Sequence, residues 1–140
     1  MLTVLYFDGG WPNPGGLATF GWWVERNATE VAHGCGEAAN GEGATNNVAE
    51  WSALIEGLRW IRNDASAEFL SIFGDSKLVI DALTFKGKCK AVHLQKLRTE
   101  ALELLEQIGC RWSAEWIPRH MNQRADDLTN LARERIGERA

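Results

Sequence analysis

Apolar positions along this chain repeat with two different periods, and the switches between them predict the order of elements. Leu2 to Asp8 is a short apolar run rich in β-formers, closed by Gly9-Gly10, and predicts a buried strand. Trp11-Pro12-Asn13-Pro14-Gly15-Gly16 is turn chemistry throughout. Two strand-like segments follow, about Ala18 to Arg26 and Thr29 to Glu37, joined at Asn27-Ala28 as an antiparallel hairpin. The chain is thus expected to begin with a three-stranded meander, followed by a Gly-rich loop from Asn40 to Thr45.

The period then lengthens. Val48, Trp51, Leu54, Ile55, Leu58 and Ile61 recur at helical spacing, with Asn46 or Asn47 as the predicted cap and Glu50 about one turn in. Glu68 to Phe73 reads as a second apolar strand, ending at Gly74-Asp75, and Ser76 opens a helix through about Leu83. Val92 to Ile108 is a long amphipathic helix with Leu94, Leu97, Ala101, Leu104, Leu105 and Ile108 on its core face. Arg111 to Ile117 is a last strand stopped by Pro118, and a helix from about Asn122 to Ile136 closes the chain. The order β-β-β-α-β-α-α-β-α predicts an α/β fold whose first strand pairs in parallel with later ones through helical crossovers. No repeat, low-complexity segment or linker interrupts it, so residues 1–140 are expected to form one domain.

Composition agrees with one buried core. The 140 residues are 45% hydrophobic and include seven tryptophans. Trp22, Trp51, Trp60 and Trp116 are expected to fill the core, while Trp11, beside a loop, could stack on a base. No apolar run approaches the length of a membrane span, and Leu2 to Phe7 is too short for a signal sequence. Cys35, Cys89 and Cys110 are odd in number and widely spaced, which fits neither a disulfide framework nor a zinc site. A monomeric, cytoplasmic protein with inert thiols and no obligate protein partner is expected. The net charge of −4 argues against a uniformly basic nucleic-acid binder. Charge is polarised, however. From Lys77 to Arg98 the charged residues are Lys77, Asp81, Lys86, Lys88, Lys90, Lys96 and Arg98, and Arg119, His120 and Arg124 form a second basic cluster. Such runs are either solvated faces or a local anion-binding footprint.

Four acids sit where elements change: Asp8, Glu50, Asp75 and Asp126. Ligands collect at the C-terminal ends of parallel strands, and Asp8 and Asp75 each end one. Asn47 and Glu50 are three apart and share a helix face, offset from the apolar stripe. Singly, each acid could be a helix cap, a turn residue or a partner for a helix dipole. Together, converging carboxylates repel unless a proton or cation lies between them, so the set points to divalent metal and phosphate-ester chemistry.

The composite resembles the type 1 ribonuclease H family. The resemblance rests on Asp8-Gly9-Gly10 with Asn13-Pro14-Gly15, Thr45-Asn46-Asn47-x-x-Glu50, Asp75-Ser76 and Asn122-x-x-Ala125-Asp126-x-Leu128. The run Trp116-Ile117-Pro118-Arg119-His120-Met121-Asn122 is most similar to its short archaeal-type and plant-type branch. The resemblance implies a ribonuclease H-like fold and endonucleolytic hydrolysis of the RNA strand of RNA–DNA hybrids with two Mg²⁺ or Mn²⁺ ions. It makes Asp8 the bridging ligand, with Asp75, Glu50 and Asp126 completing the two shells; Asp127 is the rival for the fourth place. Gly9, Gly10, Asn13, Thr45, Asn46 and Asn47 match positions that read the hybrid, where 2′-hydroxyls distinguish RNA from DNA. Lys86, Lys88, Lys90 and Arg119 are expected to meet phosphates. His120 is the nearest candidate for a proton-transferring histidine, and a plain surface residue is its other reading. Larger members carry an extra basic helix where this chain has only Thr84 to Ala91, so hybrid affinity is expected to be modest. A ribonuclease H-fold nuclease acting on DNA and a non-catalytic nucleic-acid-binding module are the alternatives.

Overall fold

The computed structural model describes residues 2–10, 17–40, 45–87, 89 and 91–139. The predicted turn containing Trp11 and Asn13, residues 41–44 of the Gly-rich loop, and Lys88 and Lys90 lie outside these described residues. Five strands form one mixed sheet: β1 (Leu2–Gly10), β2 (Leu17–Arg26), β3 (Thr29–Asn40), β4 (Phe69–Gly74) and β5 (Arg111–Trp116). Among the described residues four α-helices accompany them: α1 (Asn46–Asp64), α2 (Lys77–Leu83), α3 (Val92–Ile108) and α4 (Gln123–Arg139). A single turn of 3-10 helix, Arg119–Met121, precedes α4.

The strand order is β3-β2-β1-β4-β5. β1, β2 and β3 make the predicted antiparallel meander, and β4 and β5 extend it in parallel. Asn27 and Ala28 both have positive φ, 53° and 60°, as a two-residue turn between right-twisted strands requires. Asparagine tolerates that region; Ala28 is the strained partner. β1 and β3 each run further than predicted, to Gly10 and Asn40, because ladder pairing with β2 continues through residues of low strand propensity.

Leu5, Phe7, Val24, Leu70 and Ile72 from the sheet meet Trp51, Leu54, Leu58 and Ile61 of α1, all buried. α3 joins the same core through Leu94, Ala101, Leu104 and Leu105, and ends at Gly109, whose φ of 74° suits glycine. Trp116 departs from expectation. It is 51% exposed, because it closes edge strand β5 instead of facing the helices. Trp60 is only partly buried, and the three cysteines are free and half-buried. No described helix is long and apolar enough to cross a membrane.

Strand β1 gives a direct test of this packing. Leu5 is fully buried and Leu2 is 51% exposed on the same strand. Leu5→Ala is expected to cost about 2–5 kcal/mol in urea unfolding, from lost transfer energy plus a cavity. Leu2→Ala should stay within about 0.5 kcal/mol.

Candidate active site

The site begins with strand register. β1 and β4 pair in parallel with Phe7 opposite Gly74, so the next residue on each side is an acid, Asp8 and Asp75. Side chains alternate along β1. Leu5 and Gly9 therefore face α1, where a Cβ on Gly9 would come within 2.4 Å of the Glu50 backbone nitrogen. Only glycine allows that approach, and the approach carries Glu50 to the strand end. Asp8 faces the other way, toward α4. There Gly21, its partner across β2, admits the first turn of α4: a Cβ would lie 2.5 Å from the Ala125 carbonyl oxygen. Two glycines beside Asp8 thus let two helices each deliver an acid.

Local capping sets which side chains reach the cleft. Thr45, not an asparagine, caps α1, its Oγ1 accepting from the Val48 N–H at 3.1 Å. That moves the cap one residue earlier than predicted and releases both asparagines. Asn46 then shares the cleft with Glu50, while Asn47 turns toward Trp51, Leu78 and Leu94 in a separate, mainly apolar pocket. The expected Asn47–Glu50 face is corrected to Asn46–Glu50, since four residues bring a helix side chain closer to register than three. Ser76 caps α2 beside Asp75, accepting from the Val79 N–H at 3.3 Å.

Carboxylate oxygens of Asp8, Glu50 and Asp75 all lie within 4.8 Å of one another. Asp8 and Glu50 are each only 4% exposed. The three acids open into a cleft of about 630 Å³ that is also lined by Gly9, Gly10, Asn46, Ser76, Arg119, Asp126, Thr129, Asn130 and Arg133. Asp126 is half-buried on this cleft, with Arg119 Nη2 at 3.6 Å. Asp127 is exposed and accepts from Gln123 Nε2 at 2.7 Å, on the outer side of α4. His120 is exposed and does not line the cleft, whereas its neighbour Arg119 does. Lys86 lies in a different depression, with Lys77, Asp81 and Trp116.

Two supporting residues carried no functional expectation from sequence. Asn122 is buried, and its Nδ2 donates to the Phe7 carbonyl at 2.7 Å, tying the start of α4 to the strand that bears Asp8. Trp116 Nε1 donates to the Asp75 carbonyl at 3.0 Å across the strand end. The other cleft residues of α4 do carry a sequence signal: Thr129, Asn130 and Arg133 follow Asp126 at i+3, i+4 and i+7, the spacing of a single helix face.

Burial and like charge dominate the electrostatics. Asp8 titrates well above the ordinary carboxylate range, chiefly because it is buried, then because of Glu50 and Asp75, with carboxyl contacts to Asp126 and Asp75 adding to the rise. Glu50 is also raised, by burial and then by Asp75, and is partly relieved by Asp8, the Gly9 N–H and Arg119. Glu50 Oε2 and Asp75 Oδ1 are buried without a hydrogen-bond partner. Unpartnered, oxygen-only donors crowded at this range fit a hard divalent cation, and the described residues bring neither cysteine nor histidine into the cluster for zinc.

Comparison with known proteins agrees with this architecture. A family model described as reverse transcriptase-like matches residues 6–132. Ribonuclease HI of Halobacterium salinarum is 38% identical over 132 residues, covering 91% of this chain and 62% of that protein. The crystal structure of RNase H1 from the same archaeon superposes with a TM-score of 0.86 at 34% identity, covering 96% of this chain and 98% of that one. The N-terminal RNase H domain of a Mycobacterium tuberculosis protein, solved as a fusion with maltose-binding protein, gives a TM-score of 0.87 at 33% identity, covering 98% and 96%. The chain spans 35% of the length of the mycobacterial bifunctional protein it matches.

Two outcomes follow from this geometry. Because folding raises the pKa values of Asp8 and Glu50, the folded state keeps protons that the unfolded state releases. Their contribution is full below the ordinary carboxylate range and is lost as pH rises toward the raised values. The thermal midpoint of metal-free protein should therefore fall from about pH 5 to about pH 9, and Asp8→Asn should flatten that fall. Gly21→Ala should cost about 1–3 kcal/mol in chemical unfolding by forcing α4 off the sheet.

Proposed function

This chain belongs to the type 1 ribonuclease H family, and on that premise we propose that it cuts the RNA strand of RNA–DNA hybrids endonucleolytically. The observation that carries this reading is the trio of carboxylates, Asp8 and Glu50 buried and Asp75 half-buried, whose oxygens lie within 4.8 Å of one another where two parallel strands end beside α1. Asp8, Glu50, Asp75 and Asp126 are assigned as the set that holds two divalent cations, Mg²⁺ or Mn²⁺, with Asp8 between the others. When bound, such ions lower the pKa of an attacking water and stabilise the departing 3′ oxygen.

The rest of the chemistry belongs to the protein. The Gly9 N–H helps to hold Glu50 as an acid, beside the place where the Gly9-Gly10 backbone would meet the hybrid. Asn122 and the Trp116 indole pin the backbone on either side of the acids, which keeps the ligand oxygens in place while substrate enters. Asn46, exposed on the cleft wall beside Glu50, can exchange hydrogen bonds with a ribose 2′-hydroxyl, the group that separates RNA from DNA. Thr45 contributes by capping α1 beneath it. Arg119 supplies positive charge at the cleft mouth, and Lys86, with the basic run around it, supports phosphate contact beyond the cleft. His120, outside the cleft lining, has no part in this reading.

The test is cleavage of labelled RNA–DNA hybrid, double-stranded RNA and double-stranded DNA with Mg²⁺ or Mn²⁺. Hybrid alone should be cut. Asp8→Asn and Asp75→Asn should each lower the rate by on the order of 10³-fold or more without unfolding the protein, and Asp127→Asn should stay close to wild type. Intact hybrid with both metals, or faster cutting of duplex DNA, would overturn the proposal.

A further inference from the structure

The cleft continues past the acids along α4 and ends at a second arginine. Asp126, Thr129, Asn130 and Arg133 line it in sequence. Arg133 follows Asp126 by seven positions, about 10 Å along the helix axis. Arg133 lies against β1 at Gly10: a Cβ there would be 2.6 Å from Nη2. Asp8 and Gly10 are two apart on a strand and share a face, roughly 6–7 Å apart. Arg133 therefore stands one short step from the acids, about two helical turns beyond Asp126, the residue that Arg119 meets.

Its bonding is incomplete. Nη1 donates to Asn130 Oδ1 at 3.1 Å, which orients the guanidinium. Nε is buried and has no partner. Arg26, Arg59, Arg119 and Arg124 each meet a carboxylate. Among the described residues no carboxylate pairs with Arg133. With Nε buried, Nη2 and the second hydrogen of Nη1 remain for a ligand in the cleft that Arg133 lines, and a planar guanidinium is suited to an oxyanion, above all a phosphate, which its two terminal nitrogens can grip through parallel bonds. Thr129 cannot take that part, because its hydroxyl is closed against Thr19 Oγ1 at 2.6 Å.

Resting on the ribonuclease H reading, we propose that Arg133, oriented by Asn130, binds a phosphodiester of the RNA strand adjacent to the one over the acids. Arg119 and Arg133 then bracket the acid cluster, so the strand is held on both sides of the bond to be cut. The competing role is a counter-charge for Asp8 and Asp126. The two roles separate cleanly: a phosphate contact acts on substrate affinity and its salt dependence, whereas a counter-charge acts on cation binding.

The experiment compares wild type, Arg133→Gln and Arg133→Lys in hybrid cleavage across a series of salt concentrations, with calorimetric Mn²⁺ titration and thermal melting of each. Arg133→Gln should raise KM by about tenfold or more while kcat holds. It should also flatten the slope of log(kcat/KM) against log salt by about 0.7–0.9, the value of one phosphate. Arg133→Lys should keep the slope with an intermediate KM, and Mn²⁺ affinity should match wild type in both. Unchanged KM and slope would overturn the proposal, as would a matched loss of Mn²⁺ affinity and kcat. If wild type cuts no hybrid, the ribonuclease reading fails by itself. Fluorescence anisotropy with labelled hybrid in metal-free buffer then decides Arg133 alone: weaker binding and a flatter salt slope in Arg133→Gln support the contact, and equal binding refutes it.

Discussion

Parallel pairing of β1 with β4, in the register that sets Phe7 opposite Gly74, brings two strand ends together at one edge of the sheet. Both strands run directly into acids, so Asp8 and Asp75 become neighbours through backbone hydrogen bonding alone. The helices then complete the cluster, because β1 and β2 offer glycine where each must come closest, Gly9 to α1 and Gly21 to α4. A shift of one residue in the β1–β4 ladder would turn Asp8 to the face of α1 and dissolve the cluster. Fold and site are in this sense one constraint.

That arrangement concentrates an electrostatic cost at one point. Like charges a few ångströms apart in a poorly hydrated site repel strongly, and burial of Asp8 and Glu50 removes the water that would screen them. Protons or cations must hold the acids together, and the polypeptide resists their spreading through fixed backbone anchors. Asn122 binds the Phe7 carbonyl, and Trp116 binds the Asp75 carbonyl. These anchors lie on strands and helix starts, not on long loops, which fixes the geometry of the acids.

Much of this was legible in the sequence where a physical signal was strong. Val92–Ile108 matches its periodic stripe to the residue, because the stripe and Gly109 mark both ends. Asp8 and Asp75 are legible from their places after apolar runs, and Asp126 lies on the cleft with Asp127 turned out. Finer details depend on geometry that residue types do not encode. Thr45 and Asn46 are both good caps, and the extended backbone at Thr45 decides between them. Asn46 and Asn47 differ by one step of about 100°, enough to send one into the acid cleft and the other into an apolar pocket. Trp116 looks like a core residue until strand order places it on the edge of the sheet. Asn122 was visible as part of a motif, but its bond to Phe7 spans 115 positions and needs the fold to be seen.

The central claim is the proposal that the clustered acids hold a divalent cation, for which Asp8 and Glu50, whose pKa values burial raises, would have to give up protons. Calorimetric titration of Mn²⁺ into metal-free protein near neutral pH, repeated in buffers of different ionisation enthalpy, measures that exchange directly. The account predicts saturable binding accompanied by proton release, with the release reduced in Asp8→Asn. Binding that releases no protons, or no binding at all, would contradict it.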